Sequence, residues 1–187
     1  DWLAYINWLN QRPLLSQILT FAYSSMLMQI SVVMILLCFL PKPRMDYAQR
    51  FVGALILTSF ITIALATLFP AVAGYIHYNI NLDDYSNLKP AAAYLHKGPV
   101  LGLRDGSIHT IGMNMQGIVT FPSFHTVIAV LLMYAGWPLP YLRWVIISLN
   151  SLMIISTMGD GGHYLSDVVG GIIIAVVSLW IMHKVLR

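Results

Sequence analysis

The sequence predicts an all-α fold, a polytopic bundle of membrane-spanning helices. Its 187 residues are 58% hydrophobic and 9% charged, with a mean hydropathy of +0.75, whereas a soluble domain carries about 25% charged residues. All seven acidic residues are aspartates, and the absence of glutamate argues against water-exposed helices, which usually carry Glu–Lys pairs. Five predominantly apolar runs complete the argument: residues 13–41, 51–73, 123–137, 141–158 and 165–182.

These runs differ in how well they fit a spanning helix, which needs about 20 apolar residues. The first two contain no charged residue and are long enough to cross a bilayer. The third, residues 123–137, is shorter. We therefore expect either that the residues before it extend the helix or that it begins below the membrane surface. In the fifth run, Gly170 and Gly171 predict close packing against a neighbouring helix.

The distribution of basic residues predicts the orientation of the chain. Three basic residues lie within residues 41–50, and further ones follow on the same predicted side, at Arg143, Lys184 and Arg187. The positive-inside rule makes that side cytoplasmic. In the long segment of residues 74–121, three basic residues are balanced by three aspartates, so we expect it to form an outer loop.

The first twelve residues form a separate predicted element. Trp2, Tyr5 and Trp8 recur at helical spacing, which indicates an amphipathic segment, residues 1–12, at the outer membrane interface. Because five predicted spans follow this outer start, we expect one more span to precede Asp1. We interpret residues 1–187 as a single membrane-embedded domain without internal repeats.

Charge and cysteine content exclude several classes of protein. The formal net charge of +3 is small and dispersed along the chain, which argues against nucleic acid as a partner. Cys38 is the only cysteine, so an intrachain disulfide and a thiolate metal cluster are both excluded. The lipid bilayer is therefore the first expected partner.

Two short segments on the predicted outer side carry residues suited to binding an anion. In KGPVLGLR, Lys97 and Arg104 are separated by six residues, and FPSFH contains Ser123 and His125 at the start of an apolar run. Ionisable groups at the ends of membrane helices are unfavourable unless they serve a function. We therefore treat these segments as parts of a candidate site.

A third segment, STMGDGGHYLSDVVGG, places His163 and Asp167 four residues apart. On a helix this spacing puts both side chains on one face. The carboxylate could then accept a hydrogen bond from one ring nitrogen and leave the other basic, as in an activated nucleophile. A second interpretation stays open, because Ser166 and Asp167 are also typical of a helix start and could form a capping device.

Together the three segments resemble the motifs of the type 2 phosphatidic acid phosphatase superfamily, which are K-x6-R-P, P-S-G-H and S-R-x5-H-x3-D. All three occur here in order and on one predicted side of the membrane. The stretches LRDG, GIVTFPSFH and GGHYLSDVVGG are most similar to the inositolphosphotransferase branch, which includes inositol phosphorylceramide synthase. The resemblance implies a helical membrane bundle of that kind. It also implies an enzyme that cleaves or transfers a phosphoryl or phospho-headgroup on a membrane lipid phosphate.

The same resemblance implies roles for individual residues. His163 would be the nucleophile that takes the phosphoryl group as phosphohistidine, and Asp167 would orient it. His125 would be the general acid that protonates the leaving alkoxide. Because cationic side chains and backbone amides would hold the phosphate, we expect neither a cofactor nor a metal. The phosphate ligands would be Lys97, Arg104 and Ser123.

The sequence departs from the family pattern at three positions. Asp105 stands where the first motif has proline, and Phe124 where the second has glycine. Thr157 stands where the third motif has arginine, which removes a bidentate phosphate ligand. We interpret this change as a mark of the subfamily, because the inositolphosphotransferase branch often lacks the arginine. Candidate substrate contacts are Asp105, Phe124 and Gly162.

Two alternative functions stay open. A polyprenyl (undecaprenyl) diphosphate phosphatase has the same motifs, and a non-enzymatic membrane subunit could retain the fold. Such a subunit would be expected to lose a catalytic residue, and none is lost here. We expect an integral protein of the plasma (inner) membrane with its active site on the non-cytoplasmic side.

The remaining ionisable residues are given non-catalytic interpretations. We expect loop solvation or headgroup contact for four histidines: His77, His96, His109 and His183. A divalent-metal site built from aspartates is the other option to consider, but the spacing of the acids matches no metal-binding loop. We therefore expect solvated turns at Asp83, Asp84 and Asp160.

Overall fold

The architecture is all-helical in the part of the chain that the computed structural model describes, namely residues 1–40, 44–88, 90, 102, 106–110 and 119–186. These residues form eight α-helices, one 3-10 turn and no strand, which confirms the predicted fold class. The helices are α1 (Trp2–Asn10), α2 (Pro13–Ser24), α3 (Met26–Phe39), α4 (Met45–Leu68), α5 (Gly74–His77), α6 (Phe124–Gly136), α7 (Leu142–Asp160) and α8 (Leu165–Val185).

Fewer helices than expected are long enough to cross a membrane. Among the described residues α4, α7 and α8 are long and apolar enough, and the pair α2 and α3 counts as a fourth span if it is taken as one bent unit. Helix α6 has only 13 residues, about 20 Å at 1.5 Å per residue, against a hydrocarbon core of about 30 Å. For the third run, the alternative that preceding residues extend the helix is therefore wrong, and a helix that begins below the membrane surface remains the prediction.

The first predicted run is a bent pair of helices and not one straight span. Helices α2 and α3 meet at Ser25 with an angle of 52° between them. The Ser25 hydroxyl donates a hydrogen bond of 2.7 Å to the carbonyl of Ala22, and such back-bonding by serine commonly bends a helix. The bend turns α2 towards α7, against which it packs.

Helix α6 occupies the centre of the bundle. It packs against α3, α4, α7 and α8, and eight of its 13 residues are buried. A short helix is tolerated at membrane depth when protein, rather than lipid, surrounds its ends. The outer helices instead expose large apolar side chains, such as Phe60 on α4 and Trp180 on α8, as expected for surfaces that face lipid.

A polar contact joins the bent pair to α7 inside the bundle. The side-chain amide of Asn150 donates a hydrogen bond of 2.7 Å to the Gln29 side-chain carbonyl, and Gln29 in turn donates to Ser25 over 2.9 Å. Asn150 is fully buried. A buried amide is unfavourable unless it is hydrogen-bonded. Helices α3 and α7 must therefore stay aligned so that this hydrogen bond is kept.

The N-terminal segment is a helix that packs on the bundle. Helix α1 buries Trp2, Ile6 and Leu9, and the Trp2 indole donates a hydrogen bond of 3.0 Å to the carbonyl of Met158 on α7. Of the three aromatic residues at helical spacing, Trp2 is buried, Tyr5 is half-buried and Trp8 is exposed. The 3-10 turn Leu82–Asp84 and the residues after it lie against α1.

Candidate functional site

The second motif forms the start of α6. Ser123 is the N-cap residue and is fully buried, and it follows Pro122, which has a cis peptide bond to Phe121. The Thr126 hydroxyl donates to the Ser123 hydroxyl over 3.1 Å. His125 lies in the first turn and is half-buried, as is Phe124. The motif therefore places one histidine at the N-terminus of the central helix.

The third motif spans the turn between α7 and α8. His163 lies before the helix, because Tyr164 is the N-cap residue of α8, so the prediction that His163 and Asp167 share one helical face is wrong. They are nevertheless close: His163 Nδ1 lies 3.5 Å from Asp167 Oδ2, and both side chains are buried. The turn folds the imidazole back over the first turn of α8, which achieves the expected proximity by a different geometry.

Asp167 takes part in the capping of α8, as the alternative interpretation suggested. Its Oδ2 accepts a hydrogen bond of 2.9 Å from the Tyr164 amide, and its Oδ1 accepts one of 3.2 Å from the Ser166 hydroxyl. His163 Nδ1 is buried without a hydrogen-bond partner, since 3.5 Å exceeds the usual N–H···O distance of about 2.7–3.2 Å. A small movement of the ring would complete that bond, and catalytic hydrogen bonds are often long before substrate binds.

The two motifs are joined through their backbones. The Ser123 amide donates a hydrogen bond of 3.0 Å to the carbonyl of Asp167. This contact requires a close approach of α8 to the start of α6, and Gly171 permits it: a Cβ at this position would lie 2.6 Å from the carbonyl oxygen of Ser123. His125 and His163 are close enough to interact electrostatically.

Space around the His163 ring depends on a glycine that the sequence analysis missed. A Cβ on Gly161 would lie 2.6 Å from Cδ2 and 3.0 Å from Nε2 of His163. Because Nδ1 faces Asp167, Nε2 is the ring nitrogen left for chemistry. The neighbouring Gly162, a predicted substrate contact, has φ +66°, which glycine adopts without strain. The two consecutive glycines in GDGGH are the sequence feature that could have indicated this space beside the His163 ring.

The position at which the family motif has arginine is buried. Thr157 is fully buried on α7, and its hydroxyl donates to the carbonyl of Ile154 over 2.7 Å. Its own carbonyl accepts a hydrogen bond of 3.1 Å from the His163 amide, so this residue holds the turn in place. The predicted ligands Lys97 and Arg104 and the predicted contact Asp105 lie outside the described residues.

The prediction of solvated turns agrees with the exposure of Asp83 and Asp84 but is wrong for Asp160. Asp160 is 5% exposed, and its Oδ1 accepts a hydrogen bond of 2.7 Å from Thr20 on α2. Burial, and to a lesser extent the Asp160 charge, raises the pKa of Tyr5 to about 12. The acid is therefore enclosed by α1, α2 and α7, because the bend at Ser25 brings α2 onto α7.

Like Thr20, Tyr23 on α2 was not predicted to lie near the candidate site. The ring of Tyr23 stacks on the His125 imidazole, with 3.9 Å between ring centroids and 16° between ring planes. Tyr23 is 5% exposed. No spacing rule links Tyr23 and His125, which are far apart in the sequence. The paired serines of FAYSSM are a frequent signal for a helix bend and were the only indication that α2 would turn inward.

A pocket of about 730 Å³ opens beside Asp167. Its lining combines apolar residues 68–72, at and after the end of α4, and Phe121 with five polar side chains: His77, Tyr78, Tyr164, Ser166 and Asp167. Neither His125 nor His163 is among the lining residues. In the described part of the chain, no three His, Cys or acidic side chains are grouped so that they could hold a metal ion.

Comparison with known proteins identifies the family. The family model described as the PAP2 superfamily matches residues 1–181. A search of curated proteins and a search of solved structures each gave no significant match. Members of this superfamily are generally phosphatases or phosphotransferases. The family also agrees with the apolar helices described above, which indicate an integral membrane protein. Since the match covers nearly the whole chain, including the segments that hold Ser123, His125, His163 and Asp167, the protein belongs to the PAP2 superfamily.

Proposed function

We propose that this protein is a metal-independent lipid phosphatase or phospho-headgroup transferase that acts through a phosphohistidine at the outer face of the membrane. The observation that carries the proposal is the buried pair of His163 Nδ1 and Asp167 Oδ2, 3.5 Å apart, whose backbone is tied to Ser123. A buried carboxylate beside one ring nitrogen favours the tautomer in which the other nitrogen is a nucleophile.

The chemistry follows from this arrangement. The lone pair of His163 Nε2 attacks phosphorus, so that a P–N bond forms while the P–O bond to the lipid alkoxide breaks. The alkoxide takes a proton from the His125 imidazolium, because an unprotonated alkoxide is a poor leaving group. In the second half-reaction neutral His125 removes a proton from water or from an acceptor alcohol, whose oxygen attacks phosphorus and restores His163.

Phosphate binding would combine several groups. The first amides of α6, next to Ser123, have no carbonyl partner within the helix, and a helix N-terminus attracts anions. Lys97 and Arg104, by resemblance to the family motif, would add positive charge around the equatorial oxygens, where charge concentrates during phosphoryl transfer. Asp105, Phe124 and Gly162 remain proposed substrate contacts.

A lipid is the proposed substrate because the site lies among helices that face a bilayer. The lining of the pocket beside Asp167 combines apolar and polar residues, which suits a phosphate attached to a hydrocarbon. The short basic loops, by the positive-inside rule, support a site on the non-cytoplasmic side, and the membrane that we propose is the plasma (inner) membrane. Sequence similarity favours a transferase of the inositolphosphotransferase type, with polyprenyl diphosphate hydrolysis as the alternative.

Trapping the intermediate tests the proposal. Detergent-purified protein would be mixed with phosphatidic acid carrying ³²P in its phosphate and quenched in alkali, in which phosphohistidine is stable. We expect acid-labile label on the wild-type protein and none on His163→Ala. His183→Ala, which changes an exposed histidine in the last turn of α8, away from the lining of the pocket beside Asp167, is the control and should be labelled like the wild type.

The results also separate the alternatives. Label on His163→Ala equal to that on the wild type would refute the assigned nucleophile. If a polyprenyl diphosphate labels the protein and phosphatidic acid does not, the substrate is the polyprenyl lipid. If no lipid phosphate in a panel gives either label or turnover, the enzymatic proposal is wrong and the protein is a non-enzymatic member of the superfamily.

A further inference from the structure

Two residues one turn apart on α2 contact both of the segments that carry histidines. The Thr20 hydroxyl donates to Asp160, three residues before His163, over 2.7 Å. Tyr23 stacks on His125, with 3.9 Å between the ring centroids. Residues three apart in a helix lie on the same face, so one face of α2 reaches both sides of the candidate site.

The stack of Tyr23 on His125 is unusually close. Stacked aromatic side chains usually have centroids about 4.5–7 Å apart, and here the planes differ by only 16°. One whole face of the imidazole is covered by a phenol ring that is itself 5% exposed. The His125 ring therefore cannot rotate without displacing a buried neighbour.

The proposed role of His125 depends on where its ring lies. A general acid must have its proton within reach of the leaving oxygen when the P–O bond breaks. A buried phenol ring that covers one face of the imidazole holds such an orientation, and this effect needs the ring of Tyr23 but not its hydroxyl.

We propose that Tyr23 is a positioning residue for His125, and that it holds the imidazole in place to protonate the leaving alkoxide. This inference rests on the proposed function. The contact between Thr20 and Asp160 anchors α2 so that the Tyr23 ring stays over the imidazole. Asp160 is buried and has no role in the proposed phosphohistidine chemistry. Its contact with Thr20 gives it a structural role instead.

Two substrates and two substitutions test the role of Tyr23. A lipid phosphate has a poor leaving group that needs a proton, whereas p-nitrophenyl phosphate has a good one that does not. We expect Tyr23→Leu to lower kcat on the lipid phosphate by about tenfold or more, with KM little changed and activity on p-nitrophenyl phosphate within about threefold. Tyr23→Phe keeps the ring and should restore wild-type activity on both substrates.

Controls separate positioning from general damage. Tyr47→Leu removes a ring that lies against Tyr134 at 5.2 Å, away from both histidines, and should leave the ratio of the two activities unchanged. Adding Tyr23→Leu to His125→Ala should have no further effect on lipid turnover, since a residue that acts through another cannot contribute once that one is gone. If Tyr23→Leu does not fold, Tyr23→Met replaces it in the same comparisons.

Each outcome decides one claim. Equal losses on both substrates in a folded Tyr23→Leu protein, or a Tyr23→Phe protein as impaired as Tyr23→Leu, would overturn the role of the ring. An additive loss in the double variant would overturn it as well. If His125→Ala itself loses both activities equally, the general-acid assignment in the proposed function fails. If His125→Ala shows the expected preference and Tyr23→Leu does not, only the inference about Tyr23 fails.

Discussion

The amide of Ser123 and the carbonyl of Asp167 share a hydrogen bond of 3.0 Å, which holds the starts of α6 and α8 together. Because the bond joins main-chain atoms, either side chain can be replaced without removing it. The proposed phosphate ligand and the proposed orienting acid are therefore held in a fixed spatial relation by the fold itself. Substitutions that alter helix separation should affect catalysis even when no catalytic side chain is changed.

Gly171→Ala is expected to disturb this contact. The new Cβ would lie 2.6 Å from the Ser123 carbonyl oxygen, a backbone atom, so α6 and α8 must move apart. Overpacking of this kind destabilises a protein by about 1–3 kcal/mol. We expect a lower melting temperature in detergent together with a loss of lipid phosphate turnover.

The control for that variant is Gly53→Ala. Its Cβ would also lie 2.6 Å from a neighbour, but the neighbour is the sulfur of the flexible Met182 side chain, which can adopt another rotamer. Gly53→Ala should retain both stability and activity. Equal behaviour of the two variants would show that the backbone contact at Ser123 is unimportant.

Gly161→Ala should inactivate the enzyme without removing a reactive group. A methyl group at this position would lie 2.6 Å from Cδ2 and 3.0 Å from Nε2 of His163 and 2.7 Å from the carbonyl oxygen of Thr157, so it would strain the turn, displace the ring and occupy the space beside the nitrogen that we propose as the nucleophile. We expect losses as large as those of His163→Ala on both lipid phosphate and p-nitrophenyl phosphate. Gly159→Ala, whose Cβ would lie 3.0 Å from a methyl group of Leu9 and 4.0 Å from the Tyr5 ring, with no backbone atom among its nearest neighbours, should remain active. Activity in Gly161→Ala would contradict the proposed geometry.

Asp167→Asn separates orientation from capping. An asparagine can still accept the hydrogen bond from the Tyr164 amide, but it cannot stabilise positive charge on His163. We expect turnover to fall by about 10²- to 10⁴-fold with little change in melting temperature. Ser166→Ala, which removes the hydrogen bond to the other carboxylate oxygen, should change turnover by less than about tenfold. If Asp167→Asn were as active as Ser166→Ala, the orienting role would be refuted.

Divalent metal should not be required. The proposed nucleophile is an imidazole, and the proposed phosphate ligands are cationic side chains and backbone amides, which bind a phosphate directly. Activity on a lipid phosphate should therefore be the same before and after dialysis against EDTA. A loss that one added metal ion restores would replace the proposed mechanism with a metal-assisted one.

Cysteine labelling tests the proposed orientation. In a Cys38→Ser background, single cysteines at His109 and at Arg44 would be exposed to a membrane-impermeant maleimide on intact cells. The positive-inside rule predicts labelling at position 109 only. Labelling at position 44 only would place the site in the cytoplasm, and lysed cells provide the control that both positions can react.

The sequence predicts the fold class and the neighbourhood of the site better than it predicts local geometry. Apolar runs locate the helices because each run must face lipid or the bundle interior. The proximity of His163 and Asp167 was predicted for the wrong reason, since spacing alone does not distinguish a helix from a capped turn. The burial of Asp160 depends on α2, and no local pattern encodes a contact across the whole bundle.

The length of α6 and the bend between α2 and α3 also go beyond what local sequence patterns predict. Pro122 and Trp137 bracket α6, but composition alone could not tell whether neighbouring residues would lengthen it. The stack of Tyr23 on His125 depends on the path of α2, which meets α3 at 52°. The Ser25 hydroxyl at the bend is hydrogen-bonded to Ala22 and Gln29. Such contacts become visible only when the packing of all the helices is known.

The hydrogen bond between Gln29 and Asn150 has a consequence for how the protein is made. The partners are 121 residues apart, and a ribosome adds about 5–20 residues per second. Gln29 is therefore synthesised roughly 6–24 seconds before Asn150, and during that interval its side-chain carbonyl lacks its final partner. The contact between α3 and α7 can therefore form only after α7 has been made, so α2 and α3 cannot reach their final packing ahead of the rest of the bundle.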